Sequence, residues 1–299
     1  MKSRAFALPL VLWAIAFLAG LSLLLLRSVG FWLDEQSLAE RRFIARQNAL
    51  TGLAIGMNPA IEPGDPLLLT GNKNRNGHEV RISDESGRIN PNYWLQNKDR
   101  EIFQKLFANW KVEAGLQDRA IDGMLDWTDP DDFVQLNGAE RGQYEAQGMA
   151  GFPPNEPFVS THELASVIGL QNILADHEGW RELFTIWHRG RINIRHASPD
   201  VLGAVAGLTP EQSKAFLALR SGKDGIDGTA DDKEFASMKD VAEVLNANSA
   251  QAQQLEKFFS LEGSTRRVDS IGWAEGSSYR ISVVLAGSGG SAFLSWEEQ

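Results

Sequence analysis

The stretch from Phe6 to Leu26 reads FALPLVLWAIAFLAGLSLLLL and carries no charged residue. As a helix rising about 1.5 Å per residue, such a run is long enough to cross a hydrocarbon core of about 30 Å. Lys2 and Arg4 precede it, which keeps the N-terminus cytoplasmic, and Asp34, Glu35 and Glu40 follow beyond Arg27. The bulk of the chain is then expected on the far side of the membrane. A cleaved secretory signal is the competing reading, but its apolar region runs about 7–15 residues and ends at a small-x-small site. Here Ala14-Ile15-Ala16 has that pattern and sits inside the apolar run.

Working outward, helical spacing does not stop at Leu26. No proline occurs from Phe31 to Met57, and Leu38, Ala45, Ala49 and Leu53 recur on one stripe while Arg41, Arg42 and Arg46 take other faces. Pro59, Pro63 and Pro66 end the run. The pattern predicts one helix over residues 6–58, membrane-spanning over 6–26, with Gly30 as its natural bend. The stripe of Leu38, Ala45, Ala49 and Leu53 is the expected seam for partner helices.

Beyond the prolines, His78–Ser83 (HEVRIS) reads as a short strand. From about Tyr93 to Glu262 most apolar spacing is helical, with stripes at Ile102, Leu106 and Trp110, at Leu164, Ile168 and Leu170, and at Leu202, Val205 and Leu208. Alternating or β-branched runs return at Arg267–Trp273, Tyr279–Ala286 and Ala292–Trp296, separated by Glu275-Gly276-Ser277 and Gly287-Ser288-Gly289-Gly290. The expected architecture is α+β: a long N-terminal helix packed on a small antiparallel sheet, with a large all-α domain inserted between strands. Residues 59–92 and 262–299 would form a discontinuous β-domain around a helical insert at 93–261.

Composition narrows the function classes. The 299 residues carry a formal net charge of −10, with a sequence pI near 5.1, which opposes non-specific binding to nucleic acid. No cysteine occurs, so thiolate zinc sites, thiol nucleophiles and disulfide frameworks are excluded.

A short basic leader before a long helix whose first half is apolar resembles the type IV pilins and pseudopilins. The motifs of the body sharpen that likeness. Gly87-Arg88-Ile89-Asn90 is followed by Asp126-Trp127-Thr128-Asp129-Pro130-Asp131-Asp132, then by Gly138-Ala139-Glu140 with Tyr144. Asn155-Glu156-Pro157-Phe158, Glu163-Leu164 with Gly169, and Ile192-Asn193-Ile194 come after them. In this order and spacing the chain resembles the type II secretion protein K family over nearly its whole length. Arg195-His196-Ala197 stands where that family usually has Asn-Thr-Ala.

The resemblance implies a minor pseudopilin, not an enzyme. Its leader, residues 1–5, would be removed by prepilin peptidase between Ala5 and Phe6, with methylation of the new amine. Two positions depart from the wider pilin pattern: Ala5 replaces the usual glycine, and Leu10 replaces a glutamate five residues into the mature chain. A carboxylate in lipid is tolerated only when paired; its loss is a feature of the protein K class and implies a place at the fibre tip. The implied partners are the I- and J-type minor pseudopilins and the pseudopilus, in the bacterial inner membrane with a periplasmic head, serving protein export across the outer membrane.

Two acidic loops suit a hard cation. The first holds Asp126, Asp129, Asp131 and Asp132, with Glu140 beyond; the second is Asp224-Gly225-Ile226-Asp227-Gly228-Thr229-Ala230-Asp231-Asp232. Calcium takes six to eight oxygens in flexible geometry and could neutralise either loop. The competing reading is solvated turns whose aspartates cap the backbone. The second loop is no EF-hand, lacking the D-x-D-x-D-G order and the closing glutamate. The resemblance to protein K, which holds calcium in its helical domain, implies a structural calcium here.

The alternative function is a membrane-anchored periplasmic helix-hairpin-helix receptor for DNA. Ile192-Asn193-Ile194, Ser198-Pro199-Asp200, Gly207 and Arg220 resemble that element, although the turn Ala206-Gly207-Leu208-Thr209 lacks its second glycine. Zinc protease chemistry is excluded because Ser166 stands where the second histidine after His162-Glu163 is required.

Overall fold

The computed structural model describes residues 7–299, apart from 73, 189, 226, 228, 230, 264 and 288–291, and no side chain at 7–9, 26 or 28–34. The processing pair Ala5 and Phe6, with the rest of the leader, lies outside the described residues. Helix α1 (Ala7–Gly56) runs 50 residues without interruption at Gly30, in line with the single helix expected. Its apolar side chains from Leu10 to Leu25 are exposed, Trp13 by 78%. Among the described residues no helix is long and apolar enough to cross a membrane. The described side chains of that apolar run stop at Leu25.

The C-terminal half of α1 lies across an antiparallel sheet. Its strands are β1 (Leu69–Thr70) and β2 (Gly77–Asp84) from the front of the chain, and β5 (Thr265–Ala274), β6 (Ser277–Ala286) and β7 (Ala292–Glu298) from the end. They line up in the order β1-β2-β5-β6-β7. Strands β2 and β5 pair continuously from Gly77 opposite Trp273 to Asp84 opposite Arg266. Val80, Val268, Ile281, Val283 and Leu285 project inward and close a core with Ala49 and Leu53 of α1.

The stripe assigned to partner helices therefore needs correction. Ala45, Ala49 and Leu53 are buried against the chain's own sheet. Gly272 on β5 makes this possible: a Cβ there would lie 2.0 Å from the Ala45 carbonyl oxygen and 2.2 Å from the Ala49 amide. Ser270 Oγ donates to the Ala49 carbonyl at 2.7 Å, and Asn48 Nδ2 donates to the Trp273 carbonyl at 2.8 Å. Periodicity identifies a buried face and not what buries it. Leu38, beyond the sheet, remains 44% exposed.

Between β2 and β5 comes the helical part, with its own core. It comprises α2 (Pro91–Gln96), α3 (Glu101–Asn109), α4 (Ala114–Thr128), α5 (Arg141–Ala146) and α6 (Leu170–Ala175), then α7 (Pro199–Val201), α8 (Pro210–Arg220), α9 (Met238–Val244) and α10 (Ser249–Phe258). A π-helical turn, Leu202–Ala206, continues α7. A two-residue parallel pair, β3 (Ile192–Asn193) with β4 (Phe259–Ser260), ties the middle of this part to its end. Phe103, Phe107, Trp127, Tyr144 and Leu164 are wholly buried at its centre. At the junction with the sheet, buried Glu85 accepts from Arg88 and Arg267, each at 2.9 Å.

Candidate metal centre

Helix α4 presents Asp122 and Asp126 one turn apart on the face that meets the following loop. Both are buried. Asp122 accepts from Arg100 at 2.6 Å and from the amide and side chain of Asn137. Burial works against its charge, yet these donors hold it below the usual carboxylate range. Asp126 accepts the Gln135 amide at 3.0 Å. Burial, with Asp129 and Asp122 nearby, pushes it up to about 6.

Glu140 closes the loop and is 3% exposed. Neither of its carboxylate oxygens receives a hydrogen bond from the protein, and the same holds for Asp129 Oδ1 and Asn155 Oδ1. Burial first, then the charges of Asp126, Asp129, Asp132 and Asp131, push Glu140 up to about 7. Asp129 is raised by burial and by Asp131. Buried oxygens normally find donors; a set that holds only oxygens and lacks donors suits a hard divalent cation.

Other members of the loop serve the backbone. Asp131 Oδ1 accepts the Phe133 amide at 2.9 Å, and Asp132 Oδ1 accepts Asn155 Nδ2 at 2.9 Å. The capping and cation readings thus divide the loop between them. Asn155 and Asp122 escaped the sequence reading. Asn155 lies outside the acidic run and sits at φ 56°, a backbone region that asparagine tolerates better than most residues.

In the second loop Asp224, Asp231 and Asp232 each offer an oxygen, all within 4.8 Å of one another. Asp231 accepts the Lys223 amide at 2.7 Å and Thr229 Oγ1 at 2.8 Å, which holds it below the usual range. Asp227 points elsewhere: its carboxylate takes Arg220 Nε at 2.9 Å and Nη2 at 2.6 Å. The loop packs beside Glu62 and Asp65 of the segment after α1.

The same Arg220 bears on the hairpin. It is buried, and its Nη1 donates to the carbonyls of Ile194 and Ala197 at 3.0 and 2.8 Å. The N-terminus of α8 is closed by a reciprocal cap between Thr209 and Gln212. The groups that would face a phosphate are engaged within the chain.

The architecture around these loops is one long helix lying on an antiparallel sheet that a helical unit interrupts. Residues 87–176 match the family described as Type II secretion system (T2SS), protein K. That match begins at Gly87-Arg88-Ile89-Asn90 and spans the whole first acidic loop, so the likeness read from those motifs stands there. The fold is similar to a chain in the crystal structure of the GspK-GspI-GspJ complex from the enterotoxigenic Escherichia coli type 2 secretion system, with a TM-score of 0.63. Identity is 15%, and the superposition covers 91% of this chain and 99% of that one. No curated protein matches the sequence.

Proposed function

We propose that the chain is a minor pseudopilin of the type II secretion system. It joins I- and J-type minor pseudopilins at the pseudopilus tip and supports protein export across the outer membrane. One observation carries this reading: the protein K match lies inside a helical unit that interrupts a sheet seated on one long N-terminal helix. The bare first half of α1 supports an inner-membrane anchor, since residues 6–26 are apolar and follow Lys2 and Arg4. A head bulked out by the insert, too wide for the interior of a fibre, favours the tip. The role is assembly, and calcium in the acidic loops braces the head. The residues that would hold it are Glu140, Asp129 and Asn155 in the first loop and Asp224, Asp231 and Asp232 in the second.

The test is to express the full chain with its prepilin peptidase and the I- and J-type subunits of the same system. Mass spectrometry is expected to give a mature chain starting at Phe6 with a methylated amine. In detergent it is expected to copurify with both subunits. A chain that keeps Met1, or one cut beyond Leu26, would sink the reading.

A further inference from the structure

From Asp122 to Glu140 the sequence holds six carboxylates and no basic residue. In the middle of this run Phe133 is 81% exposed and Leu136 95% exposed. Large apolar side chains are seldom this bare in a well-fixed segment, and adjacent ones mark an interaction surface. The segment is well fixed. Two amides bond inward to buried carboxylates, Gln135 to Asp126 and Asn137 to Asp122, each at 3.0 Å, while the Phe133 amide closes a local turn on exposed Asp131 at 2.9 Å. Gly138 lets the chain pass against Asp126, because a Cβ there would lie 1.9 Å from its Oδ2. Asn155 Nδ2 also ties the Asp131 carbonyl to the neighbouring loop at 2.9 Å.

Inward amides leave Phe133 and Leu136 pointing out on a rigid base. Such preorganisation lowers the ordering cost of binding and is typical of an anchor residue pair. Charge specifies the occupant. Asp131 and Asp132, which immediately precede Phe133, are exposed, and so is Glu156, next to the Asn155 that bonds this loop, so an anionic lipid surface is repelled and a cationic rim is attracted. We infer that the Asp131–Asn137 loop is a docking finger whose Phe133 and Leu136 enter an apolar groove rimmed by lysine or arginine on another protein. This surface belongs to the helical head, and its export readout rests on the proposed function.

The experiment places a photoreactive benzoylphenylalanine at position 133, and separately at 136, in the full chain in its own cells. The expected result is a protein adduct at both positions, whose captured peptide is apolar and flanked by Lys or Arg. In parallel, Phe133→Ser/Leu136→Ser should cut that adduct's formation from a probe at Val134, and cut export, by about tenfold or more. Its melting temperature and its recovery with the I- and J-type subunits should stay at wild-type values, because both side chains are exposed. An adduct only with lipid, an acid-flanked peptide, no adduct, or unchanged export by the double variant would each overturn the inference. Loss of recovery with the partner subunits in the wild-type chain would instead count against the proposed function.

Discussion

Glu140 combines three features at one side chain: deep burial, two oxygens without donors, and four aspartates close enough to oppose its charge. Its folded pKa of about 7 stands above the ordinary 4.5. Between those values the folded chain binds a proton that the unfolded chain has released. In metal-free protein this group's contribution to stability therefore falls as pH rises from about 4.5 to about 7, and is flat above. Glu140→Gln removes the buried charge. Thermal unfolding in chelator should show the variant more stable than wild type at pH 8, by on the order of 1–2 kcal/mol, and nearly equal at pH 5. Millimolar calcium should raise the wild-type melting temperature at pH 8, and raise it much less in the variant. Equal calcium shifts in both chains would remove Glu140 from the metal centre. Most residues of this candidate site are legible in the sequence because its acids lie close together there. Asp122 and Asn155 are not, since a single polar residue acquires its role only when the fold brings it to the others.

At the scale of elements, the decisive contact is the close crossing of α1 on β5. Gly272 and the small Ala45 and Ala49 bring the helix backbone within hydrogen-bond reach of Ser270 Oγ and the Asn48 side chain within reach of the Trp273 carbonyl. Adding a methyl group at Gly272 pushes the two elements apart. Gly272→Ala should cost about 1–3 kcal/mol, and Ser270→Ala about 1 kcal/mol, in chemical unfolding of the full chain in detergent. A neutral Gly272→Ala would mean that the helix does not sit on this strand. Helix α1 and strands β2, β5, β6 and β7 were legible because each repeats its period over many residues. Strands β1, β3 and β4 have two residues each, too few to show alternation. Leu164 fits a helical stripe by spacing but falls in a 3₁₀ segment, Thr161–Ser166, and Leu202 and Val205 fall in the π turn. Spacing fixed a buried face there, while local backbone geometry was settled by tertiary packing. The same limit explains the stripe on α1, whose burial was legible and whose partner was not.

At the scale of the whole molecule, two cores share one chain, and the junction between them is narrow. Asp84 and Arg266 stand opposite each other at the end of an unbroken β2–β5 ladder. The chain leaves the sheet and returns to it at adjacent points, the geometry of an insertion at a hairpin end. Among the described residues, the sheet core draws on α1, the segment leading to β1, and strands β2, β5 and β6. Replacing residues 85–265 with a two-residue Asn-Gly turn, which joins Asp84 to its partner Arg266, should therefore leave a small helix-on-sheet unit that retains the β2–β5 register. It loses the ion pairs of buried Glu85 with Arg88 and Arg267, so it should melt several degrees lower than the full chain. Circular dichroism should show the sheet and α1 retained, and calcium should no longer shift the melting temperature. In cells the shortened chain should still show the proposed cut before Phe6, because its first 84 residues are unchanged. Export should fail because the bulky head and its docking finger are gone. A shortened chain that is unfolded would show instead that the sheet depends on the helical part, and that the two cores form one cooperative unit.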